Sequence, residues 1–114
     1  MQIDANFLLL KQIGASPLTA LVSRETEADW GADVSRQEHF RAHRDTHTIF
    51  LIYDRDFRHS NATVRPAYSR YETALADLVT DLAAHYSDDG YVVRALLARL
   101  APGGAIPEHV DTGF

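Results

Sequence analysis

Between residues 66 and 86, apolar side chains recur at three- and four-residue intervals: Tyr71, Leu75, Leu78, Leu82 and then His85 or Tyr86. That period predicts one long helix whose stripe lies against a core or an interface. Ser87-Asp88-Asp89-Gly90 supplies its stop. Residues 48–53, Thr-Ile-Phe-Leu-Ile-Tyr, are β-branched and aromatic and predict a buried strand before the helix. Residues 91–100, with Val92, Val93, Leu96, Leu97 and Leu100, predict a strand after it. Near the start, residues 5–13 predict a strand closed by Gly14. Ser16 and Pro17 suit the N-cap and first position of a short helix running to about Ser23. Residues 25–35 are polar around the only tryptophan, Trp30, and predict a loop. The expected class is α+β or mainly β, as a single domain over residues 1–114.

Composition removes several functional classes. The chain has no cysteine, so disulfides, thiolate metal sites and cysteine nucleophiles are excluded. Its net charge is −5, which argues against a nucleic-acid partner. Lys11 is the only lysine, so the basic groups are nearly all arginines, which capture carboxylates in two-pronged fashion. No run approaches the roughly 20 apolar residues of a membrane span. Residues 7–10 are too short for a signal-peptide core and lack a basic flank, so a cytoplasmic setting is expected.

The segment richest in chemistry runs from Arg99 to Asp111: a strand end, Pro102-Gly103-Gly104 as a turn, then Ile106-Pro107-Glu108-His109-Val110-Asp111. If residues 106–111 form a short strand, His109 and Asp111 point to one face. An imidazole and a carboxylate side by side are two of the three ligands of the 2-His-1-carboxylate triad of non-haem iron oxygenases. A bare His-x-Asp occurs by chance in many chains, so the lead-in carries the weight.

That lead-in resembles the aspartyl/asparaginyl β-hydroxylase family of Fe(II)/2-oxoglutarate-dependent dioxygenases. The matching elements are Arg99-Leu100, Pro102-Gly103 and Ile106-Pro107-Glu108-His109-Val110-Asp111, with a looser match from His43 to Ile52. The resemblance implies that His109 and Asp111 are the first and second iron ligands. Some family members lack the carboxylate, so its presence favours the full triad. It implies Fe(II) as metal and 2-oxoglutarate as cosubstrate, together hydroxylating a C–H bond of a small-molecule or peptidyl substrate. It also implies the N-terminal half of a double-stranded β-helix, jelly-roll or cupin-like, with the helix of about 66–86 packed on the sheet and the barrel incomplete. The family's distal histidine and its 2-oxoglutarate-binding arginine lie downstream of His-x-Asp. The cosubstrate-binding residues are therefore expected beyond Phe114, in a longer oxygenase domain. The 114 residues alone are expected to be weakly active or inactive, and their exposed sheet edges could drive self-association.

Other residues are weighed against plainer roles. His39, His43 and His47 are spaced by four, as in helical zinc sites, but the segment is charged and turns strand-like from Thr46. Arg36, His39 and His43 could instead line a substrate mouth and bind a carboxylate. Trp30, Phe40, Tyr53 and Phe57 suit core packing better than substrate stacking. Alternation along residues 95–101 puts Arg99 with Ala95 and Ala101, opposite Leu96, Ala98 and Leu100, which predicts an outward-facing Arg99. The competing functions are a non-enzymatic cupin-like binding domain, with His109 and Asp111 as surface groups, and an interaction domain that docks a partner on the helical stripe.

Overall fold

The computed structural model describes residues 9, 12–54, 61–85 and 89–110. It is an α+β structure in two compact units, one of Met1–Arg24 with Ser69–Val92 and one of Glu25–Tyr68 with Val93–Phe114. No described helix is long and apolar enough to cross a membrane.

The first unit packs α1 (Ser16–Val22) against α4 (Glu72–Ala84). The N-cap of α1 is Ala15, and Pro17 lies in the first turn, one place further in than expected. Ser16 is inside the helix. The long helix expected over about 66–86 divides in two. Pro66–Arg70 is a 3-10 turn, and α4 proper begins after Tyr71, which is fully buried. The stripe of α4 is half-buried at Leu75 and Leu78 and opens at Leu82. An open groove of about 710 Å³ runs along this pair, lined by Pro17, Leu21, Thr73, Ala74, Asp77 and Leu78 among others. Most of the strand expected over 5–13 lies outside the described residues, and its described end, Gln12-Ile13, is not strand.

The second unit is built on two antiparallel strands, β1 (Thr46–Ile52) and β2 (Ala95–Leu100). β1 begins two residues earlier than expected. β2 begins four residues later, because Tyr91 to Arg94 join no ladder. Thr46, Thr48 and Phe50 face the side of Leu100, Ala98 and Leu96, while His47 and Ile49 face that of Arg99 and Leu97. On its other edge β1 meets Val64 through a bridge at Ile52, with Arg65 N–H donating to the Leu51 carbonyl at 2.8 Å. Among the described residues no other strand pairs with β2, so a closed barrel is not formed by them.

The polar stretch 25–35 is a loop only in part, interrupted by one helical turn. Thr26 caps α2 (Glu27–Trp30): its hydroxyl accepts from Asp29 N–H, and the Asp29 carboxylate accepts from Thr26 N–H at 2.8 Å. That reciprocal cap starts a single turn, which carries Trp30, buried like Ile49 and Leu51 of β1. α3 (Ser35–His39) follows, its start tied by Asp33 accepting from Ser35 N–H at 3.1 Å.

Candidate functional site

The second unit brings Arg36, His43 and His109 together. α3 stops at Phe40, whose extended backbone (φ −124°, ψ 109°) breaks the helix. A 3-10 turn, Arg41–His43, then leads into β1. On an unbroken helix, seven residues would separate Arg36 and His43 by roughly 10 Å along the axis. The break folds His43 back, and Arg36 Nη2 donates to its Nε2 at 3.1 Å. Arginine only donates, so the ring proton of His43 sits on Nδ1. The His43 ring meets that of His109 edge to face, centroids 5.3 Å apart. Phe40 lies on it at 6.4 Å.

His39 does not join this cluster. It sits at the exposed end of α3, where Nδ1 hydrogen-bonds the Ser35 carbonyl one turn back at 2.7 Å. His47 is in β1, and its Nδ1 is buried without a hydrogen-bond partner among the described residues. The three histidines thus occupy a helix end, a 3-10 turn and a strand, not one helical face, which removes the geometry of a helical zinc site.

His109 is carried by the segment after β2. Gly103 takes a positive φ of 75°, and Gly104 N–H donates to the Ala101 carbonyl at 2.9 Å, closing the expected turn. Asp45, just before β1, accepts from Ala101 N–H through its backbone at 3.1 Å and from Ala105 N–H through Oδ2 at 3.2 Å. Beyond that, the strand expected over 106–111 is absent from its described part. Residues 105–110 join no ladder: the Ala105 amide is spent on a side chain and Pro107 has none to give. Asp111 lies outside the described residues, so the shared-face argument for it and His109 has no strand beneath it.

The His109 ring is nonetheless oriented. Its Nδ1 lies 2.8 Å from the Pro107 carbonyl, which can only accept, so Nδ1 carries the proton. The neutral ring then presents its lone pair at Nε2, the tautomer that an Nδ1–H to carbonyl bond sets in metal-binding histidines. His109 fits an Fe(II) ligand in that respect. Among the described residues no group of three or more histidine or carboxylate side chains is arranged to hold a metal ion.

Two ion pairs frame the sheet, and sequence reasoning anticipated neither. Arg99 grips Glu27 with two hydrogen bonds, 2.6 and 2.8 Å, and its guanidinium lies 4.7 Å from the Trp30 ring centre. Arg99 therefore packs on the side covered by α2 and does not face outward as expected, while Leu100 at the strand end is exposed. The bond from Arg99 lowers the Glu27 pKa from its ordinary 4.5, and Glu27 in turn raises that of Arg99. Arg94 grips the fully buried Asp54 at 2.5 and 3.2 Å and lies 5.6 Å from the Tyr53 ring centre. The Thr26-x-x-Asp29 cap could have revealed α2, and with it the setting of Trp30. Nothing local marks the partners of Arg94 and Arg99.

Neither Arg36, His43 nor His109 lines the groove of the first unit. No family model matches the chain, and neither a curated protein nor a solved structure is significantly similar to it.

Proposed function

We propose that this chain supplies the first part of the iron site of a non-haem Fe(II)/2-oxoglutarate-dependent dioxygenase of the aspartyl/asparaginyl β-hydroxylase type. The substrate would be an aspartyl, asparaginyl or other amino-acid-like group. The observation that carries the reading is the Ile106-Pro107-Glu108-His109-Val110-Asp111 motif after a strand and a Pro-Gly turn, with the His109 tautomer set for Nε2 ligation.

On this reading, His109 and Asp111 hold the metal on one side. Iron with 2-oxoglutarate supplies the oxidising chemistry when bound. The chain's own work is to orient His109 through Pro107, to seat it against His43, and to keep the turn in place through Asp45. The β1–β2 pair would belong to a double-stranded β-helix. Their antiparallel pairing, and the unpaired outer edge of β2 among the described residues, are compatible with further strands.

The test is succinate formation from 2-oxoglutarate by the protein carrying this chain. Formation should require Fe(II) and should disappear in His109→Ala. Formation that persists in His109→Ala overturns the reading, and so does a wild-type protein that binds no Fe(II).

A further inference from the structure

We propose that Arg36 is the carboxylate-recognition residue of the His109 site. In the second unit four described arginines are half-buried: Arg36, Arg65, Arg94 and Arg99. Three of them have a carboxylate: Arg65 has Asp33 at 3.8 Å, Arg94 has Asp54 and Arg99 has Glu27. Arg36 has none among the described residues. Its one hydrogen bond there goes to the lone pair of a histidine. A guanidinium drawn partly out of water beside a neutral acceptor keeps an unmet demand for negative charge.

The geometry says where that charge would sit. His43 holds one of the five guanidinium N–H groups and so fixes the plane of the fork. The other N–H groups can bind a planar two-oxygen anion in bidentate fashion. Because the His43 ring also lies 5.3 Å from that of His109, an anion on Arg36 is held in the neighbourhood of His109. The ligand class is a small carboxylate. On the oxygenase reading, on which only this second part rests, the carboxylate belongs either to the amino-acid-like substrate or to 2-oxoglutarate.

The experiment is a titration of the metal-free protein with succinate, 2-oxoglutarate and L-aspartate in turn. The ring C–H resonances of His43 and His109 are followed by NMR, and affinity is measured by calorimetry. At least one carboxylate should shift both rings saturably. Arg36→Gln should weaken that binding about tenfold or more, because it removes a charge-assisted, two-pronged hydrogen bond. Arg36→Lys keeps the charge and loses the fork, so it should fall in between; it carries the test if the glutamine variant does not fold. A response to 2-oxoglutarate alone assigns the carboxylate to the cosubstrate, and a response to L-aspartate alone assigns it to the substrate. The proposal is overturned if no carboxylate moves the two rings, or if wild type and both variants bind equally. Because iron is absent throughout, failure here is separable from succinate formation that persists in His109→Ala.

Discussion

The rings of His43 and His109 meet at 86°, edge to face, 5.3 Å between centroids. A turn before β1 and a segment after β2 are thereby joined at the residue proposed to ligate iron. An edge-to-face pair of this kind is worth about 0.5–1.5 kcal/mol. His43→Ala should therefore weaken Fe(II) binding by about two- to tenfold, while His43→Phe, which keeps a ring edge, should stay near wild type. Anaerobic metal titration of the three proteins decides this. Equal affinity in His43→Ala would show that His43 does not position His109.

The Glu27–Arg99 pair should make stability depend on pH in one direction. Because the folded protein holds the Glu27 carboxyl below its ordinary 4.5, ionised Glu27 favours the folded state. The contribution is present above that value and is lost as pH falls through the lowered one. Glu27→Gln should lower the urea midpoint at neutral pH, and the gap should close in acid. Glu27 is 83% exposed, so the gap should also shrink in high salt. A gap that widens in acid would contradict this assignment.

Asp54 and Arg94 present the opposite case, a carboxylate sealed from water with an arginine only 20% exposed. Arg94→Ala leaves a buried carboxylate without this charge partner and should cost about 3 kcal/mol. Asp54→Ala should cost a comparable amount. The double variant should cost less than the two single costs combined, by about 1–3 kcal/mol. Additive costs in urea unfolding would mean that the pair contributes no coupling.

Gly104 has little room for a side chain. A Cβ there would sit 3.0 Å from the Ala101 carbonyl oxygen and 3.0 Å from Asp45 Cβ, whereas one at Gly14 would meet nothing within 4 Å. Gly104→Ala should therefore destabilise the protein by about 1–3 kcal/mol. Gly14→Ala should change thermal stability little. Equal melting shifts for the two variants would rule out this packing.

Much of the sheet was legible because its signals are local. The β-branched run around Phe50 and the Pro-Gly-Gly turn identify themselves by propensity and backbone freedom, and both lie where expected. The errors fall where a distant partner decides. The long helix divides because Pro66–Arg70 adopts a tighter 3-10 turn before the residue that is buried outright, Tyr71. Arg99 departs from the expected outward orientation, which rests on leucines normally marking the inner face. Here an aromatic ring and a carboxylate from α2 make that face hospitable to a guanidinium. Within the site, His109 stood out through its motif. Its closeness to His43 and Arg36 depends on the break at Phe40, which no repeat in the sequence announces.

Asp45 gives the turn after β2 a ruler. Its backbone oxygen holds Ala101 and its carboxylate holds Ala105, so both feet of the turn stand on one residue. Pro102 and Gly103 between them are exposed. Side-chain identity is thus lightly constrained at Pro102 alone, since Gly103 keeps its positive φ and the turn's length is fixed. One inserted residue would lift a foot off Asp45 and carry His109 away from His43, so the turn should accept a substitution at Pro102 more readily than any insertion.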